Sequence, residues 1–193
     1  MTRAESQART REDLLRTATE LFLRDGYLAT SLEKVAEAAG YTRGAVYSNF
    51  RNKDELCLAV LDGIRAERMA EVAAMLSTTG LDAQLSRFET WAQTVVGDVT
   101  WTRLEIEFAA HASRDDELSA EMAERLRSLV GVITFGLQAA SEADGIELPL
   151  PANEAAVALL SLGVGLGLFR AIEPSLPIGA LTNTLRALAN RPA

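Results

Sequence analysis

The sequence predicts an all-α protein: an N-terminal three-helix unit containing a helix-turn-helix, followed by a C-terminal helical bundle. Three observations predict it. Apolar residues recur at spacings of three and four, with no sustained alternation of period two, which is the pattern of amphipathic helices rather than strands. Aromatic residues make up only 6% of the 193 residues, so aromatic-rich strand runs are absent. Charge is divided along the chain. Residues 1–56 carry nine Lys+Arg and nine Asp+Glu, whereas residues 57–193 carry ten basic and eighteen acidic residues, so the whole formal charge of −8 belongs to the second segment. Segments so different in charge suit different partners. We expect one domain over 1–52, with an arm over 1–9, and a second over 53–193.

Each element follows from a local signal. The first helix is expected over Thr10–Arg24, with Leu14, Ala18, Leu21 and Phe22 on one face and Gly26 as its stop. Thr30-Ser31-Leu32-Glu33 reads as a capping box with Thr30 as N-cap and Glu33 reaching back. It opens a short helix that buries Val35, Ala36 and Ala39 and ends at Gly40. Thr42 caps a third helix, Arg43 to Asn49, and Asn52 with Glu55 opens a long fourth helix carrying Leu56, Val60 and Ile64. Ser77-Thr78-Thr79-Gly80 breaks the chain. A fifth helix carries Leu85, Phe88, Ala92, Val95 and Val99, and a sixth carries Trp101, Leu104, Phe108 and His111. Asp115-Asp116 favour the start of a seventh, with Leu118, Met122, Leu126, Leu129, Ile133 and Leu137. Residues 142–153 read as a loop. An eighth helix, about Glu154–Ile172, is apolar nearly all round, and a ninth carries Leu181, Leu185 and Leu188.

Composition excludes several classes. Cys57 is the single cysteine, so an intrachain disulfide is impossible. The N-terminus is polar and reads as no signal peptide. The longest uncharged stretch, Ala155–Phe169, falls short of the about 20 residues that span a bilayer. We expect a cytoplasmic protein without a membrane partner. His111 is the single histidine, so a multi-histidine metal site is impossible, and it offers no defensible serine–histidine arrangement. No metal, cofactor or enzymatic activity is expected. The net charge of −8 argues at first against nucleic acid, which wants a basic footprint, but the acidity lies outside the first segment. Seventeen of the nineteen basic residues are Arg. That suits bidentate contact to phosphate and guanine, and a GC-rich coding sequence produces the same bias.

The informative segment is Thr30–Lys53. Two short helices joined by a tight turn at Gly40 make a helix-turn-helix. The second offers only Ala45, Val46 and Phe50 as apolar anchors, which leaves Arg43, Gly44, Tyr47, Ser48 and Asn49 for an outer face. That is a chemically sensible DNA-reading surface. Arg43 can reach guanine O6 and N7, Gly44 lets the backbone come close, Tyr47 offers a hydroxyl to phosphate, and Ser48 and Asn49 offer small polar groups. Thr30, Thr42 and Lys53 stand where phosphates would lie. Arg3, Arg9 and Arg11 form either a basic arm that tracks the backbone or a solvated tail.

The run TREDLLRTATELFLRDGYLATSLEKVAEAAGYTRGAVYSNFRNKDEL resembles the DNA-binding domain of the TetR family, the tetracycline-repressor-like transcriptional regulators, over about residues 8–60. The resemblance is carried by Leu21-Phe22, Gly26-Tyr27, Thr30-Ser31, Val35-Ala36, Gly40, Gly44-Ala45-Val46-Tyr47, Phe50 and Lys53-Asp54-Glu55-Leu56. It implies a dimeric, all-helical regulator whose C-terminal domain binds a small molecule and loosens the grip on DNA. It also implies DNA contacts at Thr30, Thr42, Arg43, Gly44, Tyr47 and Lys53. The family often has Tyr or His between this Tyr and Phe; here Ser48 and Asn49 stand there, which obscures base preference.

Two further sets are candidates. Phe88, Trp91, Trp101, Glu105, Phe108, His111, Phe135 and Phe169 could line an effector pocket, or be plain core and surface. Glu105 and Glu107 would suit a cationic ligand, or be surface charges. On the eighth and ninth helices, Leu159, Leu162, Gly163, Leu166, Gly167, Leu181, Leu185 and Leu188 could face a second copy across a two-fold axis. A buried central helix in a monomer would read the same way. The function expected is a ligand-responsive repressor released from a pseudo-palindromic double-stranded DNA operator by a small-molecule effector. The alternatives are a helical-bundle enzyme and a protein-interaction module whose helix-turn-helix docks a partner.

Overall fold

The computed structural model describes residues 2–76, 80–145 and 147–189. Among these residues there is no strand, and the helices run α1 (Arg3–Asp25), α2 (Leu32–Ala39), α3 (Arg43–Tyr47), α4 (Lys53–Leu76), α5 (Leu81–Val95), α6 (Val99–Ala112), α7 (Asp116–Asp144), α8 (Ala152–Ile172) and α9 (Gly179–Leu188). The expected break at Ser77–Thr79 lies outside the described residues. The expected loop over 142–153 is shorter, because α7 continues to Asp144.

Packing divides the chain into two compact units, Met1–Ala70 with Arg103–Leu118, and Glu71–Thr102 with Ser119–Ala193. This division differs from the boundary at 52/53 expected from the sequence, since it falls inside the continuous helices α4 and α6.

In the first unit, α1 starts earlier than expected. Thr2 and Glu5 form a capping box, in which Glu5 N–H donates to the Thr2 hydroxyl at 3.2 Å and Thr2 N–H donates to Glu5 Oε2 at 2.7 Å. Arg3, Arg9 and Arg11 are therefore helical rather than an extended arm. Leu14, Ala18, Leu21 and Phe22 form the inward face read from the sequence, and Phe22 is fully buried. Burying Leu32, Val35 and Ala36 seats α2 on α1. Gly40 ends α2 in the left-handed region, at φ 73° and ψ 25°, where a side chain would be strained. Short α3 is held by Val46, with Phe50 just beyond it.

The N-cap of α2 is Ser31 rather than Thr30. Lys34 N–H donates to the Ser31 hydroxyl at 3.3 Å, while Thr30 is only 2% exposed and donates its hydroxyl to the Gly26 carbonyl at 2.8 Å. Asn52 caps α4 as expected, accepting from Glu55 N–H at 2.8 Å. The reciprocal half of that box is replaced, because Glu55 Oε2 accepts from Arg51 N–H at 2.9 Å.

In the second unit, α9 packs on α5 and α8. Its core cluster is Ala92, Leu166, Ile178 and Leu181, with Phe88, Trp91, Val96, Leu159 and Leu162 against it. Arg170 staples the end of α8 by donating Nε to the Val96 carbonyl at 2.9 Å and Nη1 to the Leu176 carbonyl. Gly97, at φ +96°, makes room for that arginine, since a Cβ there would lie 2.5 Å from Arg170 Cβ. Valine 99, expected on the fifth helix, starts α6 instead. By length and composition alone α8 could cross a membrane, because the helix continues past Glu154 and Arg170 at the ends of its uncharged stretch; the core helix of a soluble protein passes the same test.

Candidate nucleic-acid interface

The exposed face of α3 is built by default. Thr42 caps it by accepting from Ala45 N–H at 3.2 Å, Val46 points inward, and Thr42, Arg43, Gly44, Tyr47 and Ser48 are left exposed. Tyr47, 53% exposed, would be wasteful surface for a large ring unless it meets a partner. A Cβ at Gly44 would meet only the Thr42 hydroxyl oxygen, at 3.8 Å, so packing does not require glycine there. Beside this helix an open concavity of about 430 Å3 is lined by Leu28, Thr30, Ser31, Leu32, Glu33, Tyr47, Arg51, Asn52 and Lys53. It brings the N-terminus of α2 together with Tyr47 and Lys53, an arrangement chemically suited to a phosphate.

Not every expected residue stands free on this face. Burial removes Thr30, whose hydroxyl ties the loop before α2 to Gly26. Asn49 Nδ2 donates to the Ala45 carbonyl at 2.8 Å, and the Ser48 hydroxyl donates to the same carbonyl at 2.9 Å, so both help close the short helix. Lys53 Nζ donates to the Tyr27 carbonyl at 3.0 Å and lies 4.0 Å from the Tyr27 ring centroid. It therefore fastens the start of α4 while lining the concavity. Arg11, expected on the arm, is turned inward, with Nη1 donating to the Asn49 carbonyl at 2.7 Å and its guanidinium 4.2 Å over the Phe50 ring. Arg3 and Arg9 are exposed.

Charge around the site is set by local hydrogen bonds. Glu33 is held below the usual carboxylate range, first by its own backbone N–H and then by the Ser31 hydroxyl. Asp13 is lowered chiefly by the Tyr41 hydroxyl, which donates to its Oδ2 at 2.9 Å. Burial pushes the Tyr27 phenol up, and the bond it donates to Asp54 adds to this. Burial likewise pushes the Cys57 thiol up, so that thiol is a core group rather than a nucleophile.

The residues expected to line an effector pocket are dispersed. Phe108 is fully buried in the first unit and stacks edge-on to Tyr27, with centroids 5.2 Å apart. His111 Nε2 lies 3.1 Å from Asp54 Oδ1, and Glu105 pairs with Arg65 at 3.0 Å. Those three side chains are committed to that unit. In the second unit Phe88 and Trp91 pack together at 5.4 Å, and Trp91 Nε1 donates to Glu71 at 2.6 Å. Trp101 is buried, while Phe135 and Phe169 are 73% and 59% exposed. Of the residues expected at a dimer interface, Leu166, Gly167, Leu181 and Leu188 are buried inside their own unit, and Leu159, Leu162, Gly163 and Leu185 are half-buried. The face of α8 that stays exposed is Val157, Val164, Leu168 and Ile172. Among the described residues, no group of three His, Cys, Asp or Glu side chains could hold a metal. The sequence reading missed Arg103, Glu107 and Asp54 as positioning groups; the four-residue spacing of Arg103, Glu107 and His111 was the available signal.

This geometry defines a helix-turn-helix protein whose second helix presents a polar face. Residues 14–60 match the family model described as bacterial regulatory proteins, tetR family. The chain is 43% identical to the transcriptional regulator TtgR of Pseudomonas putida over 63 residues, which is 33% of this chain and 30% of that protein. It is 27% identical to the transcriptional repressor Rv1474c of Mycobacterium tuberculosis over 143 residues, 74% of this chain and 72% of that one. The solved structure of NalD, the secondary repressor of the MexAB-OprM multidrug efflux pump in Pseudomonas aeruginosa, superposes with a TM-score of 0.62 at 27% identity, covering 95% of this chain and 98% of that one. The similarity to the tetR family of bacterial regulatory proteins is thus carried by the helix-turn-helix segment, residues 14–60.

Proposed function

We propose that the protein is a cytoplasmic, ligand-responsive transcriptional regulator, a repressor that binds a pseudo-palindromic DNA operator as a homodimer and is released by a small molecule. The observation that carries the reading is the outer face of α3, where Thr42, Arg43, Gly44 and Tyr47 are exposed on a helix anchored from behind by Val46 and Phe50. A glycine that packing does not require is explained by close approach to a groove. Residues 1–52 read DNA, and residues 53–193 bind the effector and the second copy. Arg43 reads a base edge, while Thr42, Tyr47 and Lys53 hold phosphates, with Ser48 and Asn49 shaping the end of the helix. The second copy covers the exposed face of α8, and Phe88 with Trp91 are the effector-side aromatics that remain. The tilt of α4 is the lever: an effector releases DNA by preferring the form whose recognition helices are misplaced, and coupling of about 1–3 kcal/mol changes operator affinity roughly 5–150-fold. No cofactor, membrane partner or enzymatic activity enters this reading, and the helical-enzyme and protein-docking alternatives are not favoured. Selection of binding duplexes from a random pool at stated salt tests it. Enrichment of a pseudo-palindrome with half-sites roughly 34–36 Å apart is expected, and a pool that stays random overturns it.

A further inference from the structure

Three polar residues of α6 stand four apart, Arg103, Glu107 and His111, and so share one face of that helix. Each reaches a different part of the helix-turn-helix unit. Arg103 Nη2 donates to the Leu23 carbonyl at 3.0 Å and the Arg24 carbonyl at 2.8 Å, two of the last carbonyls of α1. Such carbonyls have no partner within their own helix. Glu107 Oε2 accepts from Tyr27 N–H at 2.8 Å and Leu28 N–H at 3.4 Å, in the loop that leads to α2. His111 pairs with Asp54 in the first turn of α4, the same carboxylate that accepts the Tyr27 hydroxyl.

A separate observation marks the middle rung as built. Gly26 stands at φ +85°, and a Cβ there would lie 2.7 Å from Glu107 Oε2. The glycine that ends α1 thus also clears the space the carboxylate occupies. Tyr27 is consequently gripped on all sides, by Glu107 at its N–H, by Phe108 and His111 at its ring, by Asp54 at its hydroxyl and by Lys53 at its carbonyl. Three residues later comes Thr30, whose hydroxyl closes the same loop, and then the Ser31 cap of α2. The path from α6 to the helix that seats α3 is therefore short and hydrogen-bonded throughout.

We propose that Arg103, Glu107 and His111 are positioning residues for sequence reading: a three-rung ladder that fixes the α1–α2 loop and the start of α4, and through them the set of the recognition helix. None of the three touches DNA in this account. The ladder therefore governs discrimination between sequences rather than attraction to phosphate, because non-specific binding tolerates a misdirected helix and base reading does not. The proposal rests on the DNA-reading function above.

The test uses the full chain with Glu107→Leu and Glu107→Gln, the duplex recovered by selection, and a scrambled duplex of the same length. Amide exchange at Tyr27 and Leu28 is measured without DNA. Glu107→Leu is expected to speed exchange at both amides, to cut affinity for the selected duplex about tenfold or more, and to leave scrambled-duplex affinity and its salt slope unchanged. Glu107→Gln keeps an acceptor oxygen and is expected to restore most of the exchange protection and most of the discrimination. Should Glu107→Leu lack a cooperative melt, His111→Leu is judged by the same discrimination ratio. Parental exchange and parental discrimination in the Leu variants overturn the ladder, as do equal losses on both duplexes. A parent chain that selects no duplex refutes the DNA-reading function instead, and the exchange measurement still decides whether the loop is held by Glu107.

Discussion

The two compact units begin most of their helices and cover their apolar surface in different ways. In the first, α1, α2, α3 and α4 each begin on a side-chain cap, from Thr2, Ser31, Thr42 and Asn52. In the second, α6 begins on Asp98, whose Oδ1 accepts from Trp101 N–H at 3.1 Å, but α5, α8 and α9 begin at Gly80, Pro151 and Ile178 with no side-chain cap bond. The first unit buries most of its large apolar residues; of the exposed exceptions Leu28, Tyr47 and Ile106, the first two line the concavity beside α3. The second leaves Leu126, Val132 and Phe135 of α7 and Val157, Val164, Phe169 and Ile172 of α8 exposed. The contrast teaches that the first unit holds its form by local chemistry, whereas the second has apolar surface of the kind a partner covers.

The comparison breaks most visibly at Phe22, which is fully buried in the first unit. Phe22→Ala is expected to cost about 3–5 kcal/mol, read from chemical denaturation, with helix signal from residues 2–60 lost first in amide exchange. Next comes the exposed face of α8. Val164→Arg is expected to shift the protein from dimer to monomer in sedimentation, with its melting little changed, because Val164 is 52% exposed within its own chain. A dimer that persists moves the interface elsewhere.

Smaller effects sharpen the contrast in capping. Thr42→Ala is expected to cost about 1 kcal/mol in thermal stability, by removing the hydroxyl cap of Ala45 N–H and leaving that amide only the Thr42 carbonyl. Tyr41→Phe removes the chief cause of the lowered Asp13 pKa. A carboxylate whose folded pKa lies below its unfolded one stabilises above the ordinary carboxylate pKa, and that contribution is lost as pH falls through the folded value. The variant is expected to show a higher Asp13 pKa in a carbon-detected NMR titration, and acid unfolding that begins at a higher pH.

Much of the first unit was legible in the sequence because its apolar spacing, caps and glycines agree. Leu14, Ala18, Leu21 and Phe22 face inward as their spacing says, and Gly40 ends α2. Errors arose where neighbours offer the same chemistry. Thr30 and Ser31 both carry a hydroxyl, and only the burial of Thr30 against Gly26 decides which one caps. The arginines near the N-terminus resembled a tail because the Thr2–Glu5 box that starts α1 lies ahead of any apolar periodicity. An all-round apolar helix such as α8 carries no phase, so the side that meets the core, with Leu166, was not readable. The roles of Phe108, His111 and Glu105 depend on Tyr27, Asp54 and Arg65, which are distant in sequence and brought near only by the fold.

The central claim, that α3 reads DNA through its exposed face, is tested most directly at Arg43. Competition binding of the parent and Arg43→Ala to the selected and scrambled duplexes, over a series of salt concentrations, is the measurement. The account predicts a loss of about 1–3 kcal/mol on the selected duplex and relaxed preference at one position of each half-site. An Arg43→Ala protein that binds as tightly and as selectively as the parent contradicts it.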